Sequence, residues 1–284
     1  MQQEKPSQTA LKVALNILTL GSKRGMEQVL PAGIVDATAR LLITSGAASE
    51  RMVRWHRTPI MVSIYEAFDW MLPGQFEAFA HRKAFCEKLV KDRIKTGTTQ
   101  VLVLGAGYDT MAYRLAPQFP GVHFFEIDHP ATAGLKSRGI QEMGLCDNHH
   151  LISEDLGQRK LVDVLKSNTT WDDHAQTVFI AEGLLMYLPS SAVQDLFKQC
   201  ASVCGDDSRI AFTYVGKRPD GRPDAGPCTG FLLWSLKKHG EPWLWCIQPD
   251  QVARLLNDNG WTYIPEPGGG VNKYGIEFFG IARK

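Results

Sequence analysis

The chain has 284 residues, of which 44% are hydrophobic and 21% are charged, an ordinary composition for a globular protein with a substantial core. Its formal net charge is only +1, so the charge balance gives no reason to expect a nucleic-acid partner. No run of about 18 apolar residues occurs, and the polar stretch from Met1 to Thr9 does not resemble a secretory signal. We therefore expect a cytoplasmic protein with neither a membrane nor a nucleic-acid partner; its oligomeric state is left open.

The six cysteines give no indication of a metal or redox site. They stand at positions 86, 146, 200, 204, 228 and 246, and no Cys-x-x-Cys pair occurs among them. Cys200 and Cys204 are spaced by one helical turn, but two ligands do not make a metal site. We expect these residues to pack as apolar side chains and the protein to bind no metal.

Residues 1–95 are predicted to form an N-terminal helical cap. Leu11, Leu15 and Leu18 recur at spacings of four and three residues, which places them on one face of a helix. A further helix is predicted from Phe76 to about Ile94, because a basic turn and a glycine follow it.

From residue 96 to residue 284 strands alternate with helices. Five short apolar runs bounded by turn residues are predicted to be buried strands, at 100–104, 122–127, 149–152, 177–181 and 209–214. Two later runs, 260–264 and 276–282, indicate a terminal hairpin on the sheet edge, joined by a loop at 265–270. This alternation implies a mostly parallel sheet with helices on both faces. The segment 215–248 follows the fifth strand and is predicted to form a substrate lid.

A glycine-rich loop directly follows the first of these strands. Gly105 and Gly107 let the backbone turn sharply and approach a ligand without a Cβ in the way. A helix follows, but Thr110 stands where a dinucleotide fingerprint has its third glycine. The missing glycine favours an adenosine ligand without a pyrophosphate, such as S-adenosylmethionine, over a nicotinamide dinucleotide.

Acidic residues stand at the ends of the next three strands, where ligands bind in sheets of this kind. Glu126 and Asp128 lie 21 and 23 residues after Gly105, a spacing at which an acid grips ribose hydroxyls. Asp155 follows the third strand and is a candidate acceptor for an adenine amino group. Glu182 ends the fourth strand and is a candidate partner for the ammonium group of a methionine moiety.

Together these motifs resemble those of the leucine carboxyl methyltransferase family. The matching segments are 81–85, 101–110 with 113–115, 126–132 with Lys136, 153–156 and 181–189, with a weaker match at 241–261. The sequences of these motifs are closer to the branch similar to polyketide carboxyl O-methyltransferases than to the enzymes that methylate phosphatase C-termini.

The resemblance implies a Rossmann-like methyltransferase core with a seven-stranded, mostly parallel sheet, which uses S-adenosylmethionine and releases S-adenosylhomocysteine. By position, it implies cofactor contacts at Arg82, Gly105, Gly107, Asp128, Asp155, Leu156 and Glu182. It assigns the ribose to Asp128 rather than Glu126, and it puts the helical cap over the active site. Arg82 would grip the methionine carboxylate with two parallel bonds. Its neighbours His81 and Lys83 are expected to point about 100° to either side and to miss that group.

The methyl acceptor is predicted from what the chain lacks. A carboxylate is already ionised near neutral pH, whereas a phenol, with a reference pKa of about 10, needs a general base. No compelling base stands out; the candidates are Tyr187, Tyr214 and His239. This pattern favours methylation of a small-molecule carboxylate, for example on a polyketide-like metabolite, over methylation of a phenol. A protein C-terminal carboxylate is the alternative acceptor.

The aromatic residues of the lid fit two descriptions. One is binding of a flat substrate or a sulfonium ion, and the other is packing of the aromatic rings within their own loop. The residues concerned are Phe231, Trp234, Trp243 and Trp245. Two competing functions also remain, a nicotinamide-dependent oxidoreductase and a non-catalytic adenosine-binding regulatory protein.

Overall fold

Five α-helices precede the sheet. The computed structural model describes residues 5–265 and 273–284, and it places these helices at α1 Gln8–Leu20, α2 Ile34–Thr44, α3 Glu50–His56, α4 Pro59–Ala67 and α5 Gln75–Lys95. Ser7, Ser49 and Thr58 each begin a helix by accepting a hydrogen bond from the backbone N–H three residues later, which satisfies an otherwise unpaired donor. The predicted helical character of this region is confirmed, whereas its separate domain status stays a prediction.

One mixed sheet forms the centre of the molecule. Its strands are β1 Gln100–Leu104, β2 His123–Asp128, β3 His149–Ser153, β4 Thr177–Ala181, β5 Arg209–Val215, β6 Thr262–Ile264, β7 Lys273–Tyr274 and β8 Glu277–Arg283. The order across the sheet is β3-β2-β1-β4-β5-β8-β6, and the two-residue β7 pairs with β8. Strands β1 to β5 run parallel, while β8 is antiparallel to its neighbours. The predicted seven-stranded, mostly parallel sheet is therefore confirmed, with β7 as a short addition.

Helices cover both faces of the sheet, as expected for a Rossmann-like fold. The later helices are α6 Met111–Leu115, α7 Pro130–Met143, α8 Leu161–Lys166, α9 Ser190–Ser202, α10 Thr229–Lys238 and α11 Val252–Asn257. Phe125 and Phe179 pack on one face with apolar side chains of α8, α9 and α11. Val101 and Ile180 pack on the other face with side chains of α5 and α6.

The strand order creates a crevice at one edge of the sheet. From β1 the chain moves to β2 and β3 on one side, and it then returns to β4 and β5 on the other. Leu104 pairs with Ile127, and Val103 pairs with Ile180, so the carboxyl ends of β1, β2 and β4 lie at the same edge. A reversal of strand order at this point is where ligands bind in open α/β sheets.

The C-terminal strand lies inside the sheet. The predicted terminal hairpin on the sheet edge is confirmed: β6 pairs with β8, with β6 as the edge strand and β8 between β5 and β6. A Cβ at Gly280 of β8 would lie 2.4 Å from the Phe212 ring, so the glycine permits close packing against β5. The predicted connecting loop at 265–270 lies outside the described residues, apart from residue 265.

Helix α1 joins the cap to the sheet. It packs against α2, α3, α4 and α5, and its Leu15 and Leu18 share an apolar cluster with Tyr108 of the glycine loop and Ile140 of α7. Across residues 5–265 and 273–284, no helix combines the length and the apolar character needed to cross a bilayer.

Candidate cofactor site

The glycine loop has the backbone geometry that its sequence predicts. Gly105 and Gly107 have φ angles of +64° and +49°, in the left-handed region that side chains rarely adopt. A Cβ at Gly105 would lie 2.8 Å from Leu184, and one at Gly107 would lie 3.0 Å from the Cβ of Ala10. Each glycine therefore allows another segment to approach the loop closely, and one of those segments is helix α1.

Asp128 faces this loop from the end of β2. Its carboxylate accepts a hydrogen bond from the backbone N–H of Gly107, which ties the two predicted cofactor residues together. Burial raises the pKa of Asp128, although the Gly107 N–H bond and the nearby Lys136 partly oppose this change. A half-buried carboxylate with a single hydrogen bond from the loop retains acceptor capacity for the two hydroxyls of a ribose.

Glu126 has a different environment, although it lies on the same face of β2. Its side chain is fully buried, with Oε2 2.9 Å from Nζ of Lys136 and 3.2 Å from Nε2 of His149. Burial opposes its ionisation, but Lys136 and His149 outweigh burial and lower its pKa. Glu126 is therefore the counter-ion of a buried lysine, which leaves Asp128 as the acid at the crevice.

Arg82 and Glu182 meet across the site, one from α5 and the other from the end of β4. Nε of Arg82 donates to Oε1 of Glu182 at 2.7 Å, and Nη1 donates to Oε2 of Glu277 at 2.6 Å. All three side chains are at least nine-tenths buried. Glu277 begins β8 and was not predicted as a site residue. Its position as the one acid at the start of an apolar strand could have indicated a role at the strand end.

Lys83 also belongs to this cluster, which corrects the expectation that it points away. Its Nζ pairs with Asp109 and lies 2.8 Å from Oε1 of Glu182, the same oxygen that Arg82 contacts. Burial disfavours the lysine charge, but the two carboxylates outweigh burial and raise its pKa. In turn Lys83 and Lys136 hold the pKa of Asp109 well below its usual range, against the effect of burial.

The cluster carries an excess of negative charge. Two cations, Arg82 and Lys83, face the three carboxylates of Asp109, Glu182 and Glu277. Asp128 adds a fourth carboxylate to the same edge of the sheet. A site with this balance favours a ligand that carries net positive charge.

Asp155 and Leu156 lie beside Asp128, just after β3. The backbone N–H of Glu154 donates to the carbonyl oxygen of Asp128 at 3.0 Å, which fixes the two strand ends together. The Asp155 side chain is partly exposed and accepts from the N–H of Gly157 at 2.8 Å. Leu156 is half-buried and packs against the sheet core. This placement is compatible with an adenine pocket lined by one apolar and one acidic side chain.

The three candidate bases occupy very different positions. Tyr214 is buried in the core and stacks on Phe278 with ring centroids 5.3 Å apart, so it is out of reach of a substrate. His239 is exposed at the end of α10, where its Nδ1 lies 2.7 Å from the carbonyl oxygen of Ser235. Tyr187 follows β4 and lies beside Thr9 and Glu241; burial raises its pKa. Of the three, Tyr187 alone combines burial with proximity to the crevice.

An N-terminal segment crosses the crevice, and the sequence did not predict it. We call residues 5–9 the strap. Ser7 Oγ donates to Oε1 of Glu241 at 2.6 Å, the N–H of Thr9 donates to Oε2 at 3.0 Å, and Thr9 Oγ1 also donates to Oε2. At its other side the N–H of Ser7 donates to Oγ1 of Thr132 on α7 at 3.0 Å. The strap thus bridges the predicted lid and α7, and the cavity beside it measures about 50 Å³.

The lid aromatics divide into two groups. Trp245 is buried in the main core, as expected for an aromatic that packs its own loop. Phe231 and Trp234 are more than half exposed on α10, with ring centroids 6.0 Å apart. Trp243 is half-buried and lies beside the Tyr187 hydroxyl. Two lid aromatics are therefore accessible to a ligand. In the described ranges no three His, Cys, Asp or Glu side chains are grouped closely enough to hold a metal ion.

Sequence comparisons connect this geometry with one family. The model of the leucine carboxyl methyltransferase family matches residues 22–201, more than half of the chain. A relative from Mycolicibacterium paratuberculosis is 32% identical over 187 residues, which cover 64% of this chain and 58% of the relative. One from Mycobacterium tuberculosis is 35% identical over 144 residues, which cover 50% of this chain and 39% of the relative. Both are named "Putative S-adenosyl-L-methionine-dependent methyltransferase", and this chain spans less than two thirds of either.

Solved structures support the fold. A protein from Thermobifida fusca described as a "putative methyltransferase" superposes with a TM-score of 0.57 and 16% identity, over 92% of this chain and 97% of its own. A "putative O-methyltransferase" from Nostoc punctiforme superposes with a TM-score of 0.50 and 11% identity, over 97% and 95%. At these identities the likeness concerns the fold alone.

Proposed function

Because the chain belongs to the leucine carboxyl methyltransferase family, we propose that it is an S-adenosylmethionine-dependent O-methyltransferase that acts on a carboxylate of a small molecule. The observation that carries this proposal is the buried pairing of Arg82 with Glu182, beside the glycine loop and Asp128. A cation and an anion held side by side suit the carboxylate and ammonium of a methionine moiety. The acidic strand end suits a ribose.

The residues present fit this cofactor by their chemistry. Asp128 would accept hydrogen bonds from the ribose hydroxyls. Gly105 and Gly107 would let the loop backbone approach the cofactor closely. Asp155 and Leu156 would contact the adenine. Arg82 and Glu182 would hold the methionine end. The excess of carboxylates over cations complements a ligand that carries both a sulfonium and an ammonium group. A pyrophosphate would meet a cluster in which both cations, Arg82 and Lys83, are already paired with carboxylates, which disfavours a nicotinamide dinucleotide.

The cofactor, when bound, supplies an electrophilic methyl group on a sulfonium sulfur. Transfer of that methyl group to an ionised carboxylate would form the oxygen–carbon bond while the carbon–sulfur bond breaks and leaves its electron pair on the sulfur. A methyl ester and S-adenosylhomocysteine result, and no proton has to move. The chain's task is therefore to align the two reactants and to exclude water, which matches a crevice crossed by the strap.

The alternative acceptors differ in what they require. A phenol needs a base, and burial raises the pKa of Tyr187, which makes its phenolate a rare species near neutral pH. Hydrogen bonds with Trp243 and Thr9 favour the phenolate, but burial together with Glu241 and Glu277 outweighs them. A carboxylate acceptor avoids this requirement and is therefore preferred. The exposed Phe231 and Trp234 favour an acceptor with a flat apolar body.

Calorimetric titration tests the cofactor assignment. We expect heat and a raised melting temperature with S-adenosylmethionine and S-adenosylhomocysteine, and neither with NADH. Ligand at 100 times its dissociation constant should add about 2.7 kcal/mol to the free energy of unfolding. Binding of NADH alone, or of none of the three at millimolar concentration, would refute the assignment.

A second experiment tests the reaction and the acceptor class. The protein is incubated with deuterium-labelled S-adenosylmethionine and two matched acceptors, an aromatic carboxylic acid and the corresponding phenol. We expect a labelled methyl ester from the acid, identified by mass spectrometry and cleaved by mild alkali. Label in an alkali-stable ether would show that the acceptor is a phenol. Cofactor binding without transfer to either acceptor, or to a peptide C-terminus, would point to a binding protein.

A further inference from the structure

The outer surface of the cap is unusually apolar. Helices α3 and α4 both pack on α1, and their inner faces bury Val53, Met61 and Val62. Their outer faces and the turn that follows carry six large apolar side chains that are each 40–64% exposed: Met52, Trp55, Ile60, Ile64, Phe68 and Trp70. We call this surface the cap face.

The cap face is large enough for a stable protein interface. Six side chains of this size with these exposures present roughly 700 Å² of apolar area, above the ~300–600 Å² of the largest patch on a typical monomer. The value is close to the roughly 800 Å² that each partner contributes to a standard interface. Two tryptophans and a phenylalanine also match the residue types that dominate binding energy.

The charges around the cap face are balanced. Residues 50–70 contain three arginines and three acids: Arg51, Arg54, Arg57, Glu50, Glu66 and Asp69. Arg57 already pairs with Asp36 at 2.7 Å, and Glu66 pairs with Lys23. An anionic bilayer requires a surplus of cations, which this surface lacks. A surface with both signs in equal number is able to meet itself, because each sign finds its opposite across a two-fold axis.

From the area and the charge balance we infer that the cap face is a dimer interface, occupied by a second copy of this chain. The contact is isologous, with the same face on both protomers. Ile60 and Ile64 lie one turn apart on the outer face of α4, opposite its buried residues, and form the centre of the interface. Dimerisation also supports α1 from outside, and α1 is the helix that covers Gly107 through Ala10.

Sedimentation velocity over a range of concentrations tests this inference. We expect wild type to sediment as a dimer at micromolar concentration. The variant Ile60→Glu/Ile64→Glu places like charges on both sides of the interface, so its dimer dissociation constant should rise roughly 100-fold or more. Leu145→Glu is the matched control, because Leu145 is also apolar and 69% exposed but lies between α7 and β3; it should remain a dimer.

The outcomes separate the possible occupants. Both positions are exposed, so the double variant should keep its circular dichroism spectrum and melt as a cooperative unit. A wild-type chain that remains monomeric even when its concentration is raised roughly 100-fold above micromolar overturns the inference. A double variant that dimerises like wild type also overturns it. Equal dissociation by Leu145→Glu would locate the interface elsewhere. Monomers that co-sediment with phosphatidylserine vesicles, and no longer do so as the double variant, would assign the cap face to a membrane instead.

Discussion

Asp128 and Glu126 lie two residues apart on one strand face, and the structure predicts opposite consequences when each is replaced by its amide. In Glu126→Gln the buried Lys136 loses its counter-ion, which lies 2.9 Å away. Removing one partner of a buried ion pair costs about 3–5 kcal/mol. For a protein of this size that loss corresponds to a melting temperature lower by roughly 10 °C.

Asp128→Asn should instead weaken cofactor binding without lowering stability. Burial raises the pKa of Asp128, so the fold disfavours its ionised form, and a neutral amide removes that penalty. The amide accepts less strongly from ribose hydroxyls than a carboxylate does. Loss of a charge-assisted contact of about 1.5–3 kcal/mol raises the dissociation constant of S-adenosylhomocysteine roughly 10- to 150-fold.

Two measurements on the same samples distinguish the roles, namely differential scanning calorimetry for stability and isothermal titration for binding. The pair Glu126→Gln/Lys136→Met supplies a control, because removing both charges should recover most of the stability that Glu126→Gln loses. Equal lowering of the melting temperature by Asp128→Asn and Glu126→Gln would contradict these roles, as would an equal loss of affinity in the two variants.

Three further predictions concern the charged cluster and the strap. Arg82→Lys keeps the charge but loses the guanidinium that contacts Glu182 and Glu277 at once, so S-adenosylhomocysteine should bind at least several-fold more weakly in calorimetry; unchanged binding would separate Arg82 from the cofactor. Asp109→Asn should lower the free energy of unfolding by about 3 kcal/mol at pH 6. Lys83 holds the pKa of Asp109 below its usual value. The stability difference between wild type and Asp109→Asn should therefore shrink in urea titrations as the pH falls below the usual aspartate pKa of about 3.9. A stability difference that stays constant with pH would contradict the pairing. Glu241→Gln weakens its bonds with Ser7 and Thr9, so limited proteolysis should cut the strap faster and cofactor exchange in stopped-flow should quicken; identical cleavage rates would show that the strap is held by other contacts.

The fold was largely readable from the sequence because its signals are local. The apolar runs that predicted β1 to β5 end within two residues of the observed strands, and the left-handed glycines mark the loop at 105–107. The position of β8 was not readable, since apolar strands at an edge and in the interior share one pattern. Only Gly280, opposite the Phe212 ring, distinguishes the interior position.

The site was readable in part, and the missed residues share a physical cause. Lys83 was excluded because it points about 100° away from Arg82 on the helix, but a lysine side chain is long enough to reach a carboxylate that lies between the two. Glu277 and Glu241 approach the site from the far end of the chain. Such contacts depend on tertiary placement, which local patterns do not encode.

The insertion of β8 between β5 and β6 also has a consequence for synthesis on the ribosome. β8 is the last strand of the sheet to be made, and it supplies Glu277, the partner of Arg82. Until it emerges, the nascent chain exposes an unpaired edge on β5, a template for pairing with other chains. Arg82 meanwhile lacks one of its two carboxylates. Cofactor binding should therefore add little stability before β8 has paired with β5, and chaperone dependence should fall once it has.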